Sequence, residues 1–107
     1  MNLASQKCIP CEIGGDPLKK EEVAFYVKEI PEWSVANDHK KISRTFKFKD
    51  FKESMNFVNK VAEVAEEKGH HPDIFIYYNE VKIELWTHAV KGLSVNDFIV
   101  AAKIDLI

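Results

Sequence analysis

The stretch DFKESMNFVNKVAEVAEEKG, Asp50 to Gly69, decides how the rest of the chain is read. Phe51, Met55, Val58, Ala62 and Ala65 recur at steps of three and four residues, and Phe57, Val61 and Val64 widen the stripe. That is the period of an amphipathic helix. Asp50 stands at the N-cap with Glu53 three residues on, a variant of the capping box. Lys68 suits the negative end of the helix dipole, and Gly69 sits where a left-handed C-terminal cap belongs. The helix therefore ends immediately before His70 and divides two segments whose period is two.

Upstream, Trp33 to Phe48 alternates, with Ile42, Arg44, Phe46 and Phe48 on one face and Lys41, Ser43, Thr45 and Lys47 on the other. Asn37 and Asp38 supply the turn between two strands. Arg44 interrupts the apolar face. Downstream, a β-rich run from Ile74 to Tyr78 meets a turn at Asn79-Glu80, after which Val81, Ile83, Leu85 and Thr87 alternate against Lys82, Glu84, Trp86 and His88. A first helix is expected from Pro17 to Ile30, with Asp16 as N-cap and Pro17 in the first turn. After the loop AVKG, a third helix opens on a capping box, Ser94 with Asp97, and a hydrophobic staple, Leu93 with Phe98. The order α-β-β-α-β-β-α, with two hairpins, argues for an α+β fold: a four-stranded antiparallel sheet with three helices packed on one face.

With 107 residues, 46 % of them apolar, one domain spanning 1–107 is expected, residues 1–15 forming a loop or arm. Fifteen basic and 17 acidic residues leave a formal charge of -2 without a basic field, which argues against direct nucleic-acid binding. No run suits a membrane span and the N-terminus lacks the apolar core of a signal peptide, so the chain reads as cytoplasmic. Cys8 and Cys11 form a single CxxC. No second ligand pair follows and no βαβ context surrounds it, so two thiols in an arm are the favoured reading over a zinc site or redox pair; a zinc shared between subunits stays open.

Three histidines fall at element ends: His70 and His71 between Gly69 and Pro72, and His88 at the end of the last strand. Glu66, four residues before His70, and Asp97, opening the third helix, are the carboxylates nearest to them by pattern. Each has a plainer explanation. Paired loop histidines are common, Asp97 already serves the capping box, Glu66 adjoins Glu67 on a solvated face, and His88 continues the polar side of its strand. Trp86, on that polar side, is harder to explain without an interface or a ligand platform. Metal binding is disfavoured, because adjacent histidines rarely aim at one ion and neither HExxH nor a His-x-His strand pair is present. No Ser or Cys occupies a nucleophile context and no glycine-rich phosphate cradle occurs. Acid/base chemistry by imidazoles, with carboxylates setting their tautomers, fits best, and adding or removing water that way calls for no cofactor.

The set Glu66-x-x-x-His70-His71-Pro72, the aromatic Tyr78, then His88 and Asp97, embedded in EEKGHHPD and WTHAVKGLSVND, resembles the pterin-4a-carbinolamine dehydratases, also known as dimerization cofactors of a homeodomain transcription factor. The resemblance runs from KCIPCEIGGDPL through PEW and RTFKFKDF to the final helix, nearly the whole chain. It implies the topology read above, assembly as a homodimer or homotetramer, and hydro-lyase conversion of a 4a-hydroxytetrahydropterin such as 4a-hydroxytetrahydrobiopterin to quinonoid dihydropterin and water. That step recycles the cofactor of an aromatic amino acid hydroxylase such as phenylalanine hydroxylase. The resemblance further implies acid/base work for His70 and His88, pterin holding by His71, positioning of the imidazoles by Glu66 and Asp97, and a pocket shaped by Trp86 and Thr87. Relatives of this kind also include non-catalytic, dimer-stabilising partners and assembly chaperones, and a dehydratase acting in molybdopterin metabolism is a further alternative.

Overall fold

The computed structural model describes residues 3–5 and 16–107. Its elements are α1 (Lys20–Val27), β1 (Ser34–Val35), β2 (Ile42–Lys47), α2 (Phe51–Lys68), β3 (Asp73–Tyr77), β4 (Glu80–Leu85) and α3 (Val95–Asp105), with short 3-10 turns at Leu3–Ser5 and His88–Val90. Apart from those turns, this is the expected α-β-β-α-β-β-α order. The strands form one antiparallel sheet in the order β1-β2-β4-β3. Alternation sets its register: Ile42 lies opposite Leu85, Arg44 opposite Ile83, and Phe46 opposite Val81, while Ile74 and Ile76 face Ile83 and Val81 across the other side of β4. A slip of one residue would turn this apolar set to solvent. The helices cover that face, and Val23, Phe57, Val61, Phe98, Ile99 and Ile104 join the strand residues in one core.

The buried side of α2 is Ser54, Phe57, Val61 and Ala65. Phe51 and Ala62, expected within the stripe, are exposed, so the true stripe is rotated toward the residues that seemed only to widen it. Ser54 lies on that buried side too. Its hydroxyl lies 3.2 Å from the carbonyls of both Asp50 and Tyr78 and ties the helix start to the β3–β4 turn, which lets a polar residue occupy the centre of the packed face.

Four boundaries differ from expectation. Helix α1 begins at Lys20 with Lys19 as N-cap, not at Pro17, because the Leu18 N–H is committed to the Leu93 carbonyl at 2.8 Å and holds residues 16–19 out of the helix. Its C-terminal end is at Val27, and tighter bonds from Ile30 to Val27 and from Trp33 to Ile30 carry the chain on to β1. Strand β4 ends at Leu85; Thr87 makes an isolated bridge with Gly92, and His88 opens a 3-10 turn instead of ending the strand. The β3–β4 turn falls at Tyr78-Asn79. Cys8 and Cys11 lie outside the described residues. Of the segment expected to be an arm, Leu3 is buried and the Ala4 carbonyl accepts from the Lys103 ammonium. Among the described residues no helix is long and apolar enough to cross a membrane.

Arg44, which seemed to spoil an apolar face, is explained by the last residue of α3. Its guanidinium lies over the Phe46 ring, 4.4 Å from the centroid, and donates to Asp105 Oδ1 at 2.8 Å. The buried Trp33 indole N–H donates to the same carboxylate at 2.9 and 3.1 Å. A carboxylate at a helix C-terminus opposes the dipole, so Asp105 needs these donors, and Trp33 needs an acceptor. Asp105→Ala strands the indole N–H and the guanidinium together. Urea denaturation should show a loss of about 1–3 kcal/mol, with Asp105→Asn falling between it and the parent chain.

Candidate active site

Gly69 takes the left-handed conformation, φ 62, and both its N–H and that of His70 return to the Ala65 carbonyl. A Cβ at Gly69 would meet nothing within 4 Å, so conformation, not space, calls for glycine there. The chain thus leaves α2 in a set direction. Pro72 then restricts His71 to extended backbone, and successive side chains of an extended chain point to opposite sides. The two imidazoles accordingly diverge. The His70 side chain is 12 % exposed and the His71 side chain 60 %.

His70 points inward to Asp97. Its Nε2 lies 2.6 Å from Asp97 Oδ1, and the Asp97 side chain has no solvent exposure. The other carboxylate oxygen, Oδ2, accepts from the Ser94 N–H at 2.9 Å and from the Thr87 hydroxyl at 2.7 Å. Thr87 Oγ1 also lies 2.8 Å from Ser94 Oγ. A hydroxyl has one proton, so with Thr87 donating to Asp97, Ser94 donates to Thr87. The result is a directed chain from Ser94 to Thr87 to Asp97, with the carboxylate as common acceptor and His70 Nε2–H as its third donor. Asp97 therefore performs both tasks weighed for it: one oxygen completes the capping box of α3, and the other holds an imidazole.

His71 Nε2 is 3.6 Å from Glu66 Oε2, and both side chains are largely in solvent, Glu66 at 80 %. Glu66 therefore meets His71, not His70, and an exposed pair of this kind contributes at most about 1 kcal/mol. His88 is exposed and packs against Trp86, with ring centroids 3.8 Å apart and the planes tilted by 33°. The Trp86 indole N–H makes a long hydrogen bond, 3.4 Å, to Asp73 Oδ2, and the Lys41 ammonium lies 5.0 Å from the indole centroid. Asp73 leads β3, three residues beyond His70, so the histidine pair and the Trp86-Thr87-His88 segment are brought to one end of the sheet by the β3–β4 pairing.

Sequence reasoning placed Thr87 only as a pocket residue and passed over Asp73 and the hydroxyl of Ser94. Alternation did mark Thr87 as inward-facing, and it is 4 % exposed. Among the described residues no three His, Cys, Asp or Glu side chains converge as a metal set. A cleft of about 330 Å³ lined by Phe48, Glu53, Asn56, Phe57, Lys60 and Ile107 contains none of the histidines.

Known proteins resemble this chain over most of its length. Residues 16–107 match the family model described as pterin 4 alpha carbinolamine dehydratase. A protein of Alkaliphilus metalliredigens, provisionally named a pterin-4-alpha-carbinolamine dehydratase, is 48 % identical over 105 residues, covering 97 % of this chain and 94 % of the relative. A crystal structure from Brucella melitensis, titled transcriptional coactivator/pterin dehydratase, superposes with TM-score 0.80 at 32 % identity over 85 % of this chain and 97 % of the other. A pterin dehydratase-like RuBisCO assembly factor of the alpha-carboxysome, 24 % identical with TM-score 0.61 over 70 % of this chain and 87 % of the other, shares the fold.

The network separates two kinds of carboxylate experimentally. Asp97→Ala removes both a cap and the acceptor of a buried hydroxyl, and should cost about 1–3 kcal/mol in urea denaturation. It should also release the His70 ring from one tautomer, read by long-range ¹H–¹⁵N NMR of the imidazole. Glu66→Ala should stay within about 0.5 kcal/mol and leave the His70 signals in place.

Proposed function

The chain belongs to the pterin-4a-carbinolamine dehydratase family, and from that membership we propose that it converts a 4a-hydroxytetrahydropterin to the quinonoid dihydropterin and water. The observation that carries this reading is the His70–Asp97 pair, an imidazole held through one nitrogen by a fully buried carboxylate. In the reaction the C4a–O bond breaks, the hydroxyl leaves as water after taking one proton, and the ring nitrogen beside C4a gives one up as the C=N bond forms. The acid ends one proton short and the base one proton over, and exchange with solvent returns both to their starting states, with no change of redox state overall.

Because Nε2 donates to Asp97, His70 acts through Nδ1. Its neutral ring offers a lone pair there, and Asp97 balances the charge when the ring takes a proton. His88 serves as the complementary proton donor, its ring set by the contact with Trp86. His71, on the open side with Glu66, holds the flat heterocycle, and Trp86 and Thr87 shape the pocket. A protein that only stabilises another's dimer has no chemical need of a buried carboxylate and imidazole in contact. Recycling of the pterin of an aromatic amino acid hydroxylase is the role that follows.

Assembly as a homodimer or homotetramer is part of the same proposal. Strand β3 is an edge of the sheet, and Phe75, Ile76, Tyr77 and Tyr78 are exposed along it, a surface that soluble chains seldom leave uncovered. Replacing Phe75 and Tyr77 by lysine should shift sedimentation toward the monomer.

His70→Ala and His88→Ala should each lower carbinolamine turnover by about 10² to 10⁴, and the double variant should reduce it to the uncatalysed rate with the far-UV circular dichroism retained. Full turnover in the double variant would remove this assignment.

A further inference from the structure

Of the glycines described, Gly92 is the one that space requires. A Cβ built there would lie 2.7 Å from Pro17 Cβ and 3.4 Å from Pro17 Cγ, and a proline ring cannot swing aside as a long side chain can. Gly92 is also the base of the loop that presents His88. The Thr87 N–H donates to the Gly92 carbonyl at 2.8 Å, the Gly92 N–H returns to Thr87 at 3.3 Å, and between them the His88–Val90 turn closes through Lys91 in the left-handed conformation, φ 55. One residue further, the Leu93 carbonyl accepts from the Leu18 N–H at 2.8 Å. Residues 16–19, outside a helix where one was expected, thus run across the loop base, bonded to it at Leu18 and in close contact with it at Pro17.

We infer that Pro17 and Gly92 form a fastener that positions His88 and Thr87 for the acid/base step, which makes them positioning residues of the proposed dehydratase. Thr87 sits at the loop base and donates to Asp97, while His88 follows it directly, so any displacement of Gly92 passes to both through the Thr87–Gly92 bridge. Leu18 is packed against the core and its N–H is bonded, so the strap does not yield; the loop does. Thr87 is held by its bond to Asp97, so the displacement falls mainly on His88, the group engaged as the C–O bond breaks, and it lowers kcat more than it weakens ground-state binding of the pterin.

The inference rests on the dehydratase reading, and the test separates the two. Steady-state dehydration kinetics on the full chain, with 4a-hydroxytetrahydropterin as substrate, are read beside the imidazole ¹H–¹⁵N signals of His88. Gly92→Ala should lower kcat by about tenfold to hundredfold, move KM by less than about threefold, and shift the His88 signals. Adding Pro17→Gly makes room for the new methyl group, and the double variant should recover both readouts to within about threefold of the parent. Pro17→Gly alone, at an exposed position, should keep the fold and lower kcat with the same KM pattern, which serves as the test should Gly92→Ala not fold. Parental kcat and unshifted His88 signals in Gly92→Ala, or no recovery in the double variant, would overturn the fastener. If the parent chain turns over no carbinolamine, the dehydratase reading falls by itself. The fastener is then judged on the His88 signals: shift and recovery support it, and their absence overturns it.

Discussion

A carboxylate with no solvent exposure organises this molecule. Burying an ionised Asp97 is costly unless its oxygens are filled by donors. The donors come from three elements: the N-cap backbone of α3, Thr87 just beyond β4, and, from far away in the chain, His70, the residue that follows the cap of α2. Satisfying one side chain therefore docks the third helix, the last strand and the exit of the second helix on one another. The same requirement fixes a chemical property, because the imidazole that fills Oδ1 is held by one nitrogen and keeps the other for use. Stability and the proposed acid/base chemistry thus rest on one set of hydrogen bonds.

Adjacent histidines can then have separate tasks. Gly69 sets the direction in which the chain leaves α2 and Pro72 keeps His71 extended, so neighbouring side chains fall on opposite sides of the backbone. His70 is drawn into the buried network and His71 is left in solvent with Glu66. His88 belongs to a third environment, packed against Trp86 and carried by a short closed loop whose base is pressed by Pro17. The common thread is Thr87, which joins that loop to the buried carboxylate.

A second anchor, half-buried at the far end of α3, has the same logic with different partners. Asp105 accepts from Trp33 and Arg44, so that a charge on the apolar face of β2 and an indole at the start of β1 are both satisfied by the last turn of the final helix. Helix α3 is thereby pinned at both ends by carboxylates, and the sheet beneath it cannot slip in register without stranding one of them. The two anchors also explain why polar residues interrupt otherwise apolar patterns at 44, 87 and 97.

Much of this was legible in the chain as written. The 3.6 and 2.0 residue periods, the Asp50 and Ser94 caps, and Gly69 specified the α2 and α3 starts, the exit toward His70, and the two hairpins, because each depends on contacts within a few residues; the β2–β4 ladder joins residues far apart in the chain. The motif Glu66, His70, His71, His88, Asp97 was visible as a set through its resemblance to the pterin-4a-carbinolamine dehydratases. Which of its members touch was not: periodicity cannot say that Asp97 meets His70, that Glu66 meets His71 instead, or that Ser94 and Thr87 share a proton chain, since those contacts span loops and elements. The Asp16-Pro17 helix start was misread because a long-range bond from Leu18 to Leu93 outweighed a local cap signal. The sequence by itself determined the elements and the kinds of group available to the site; the tertiary structure alone decided their partners, since burial and donor supply at a point in space are properties of the assembled chain.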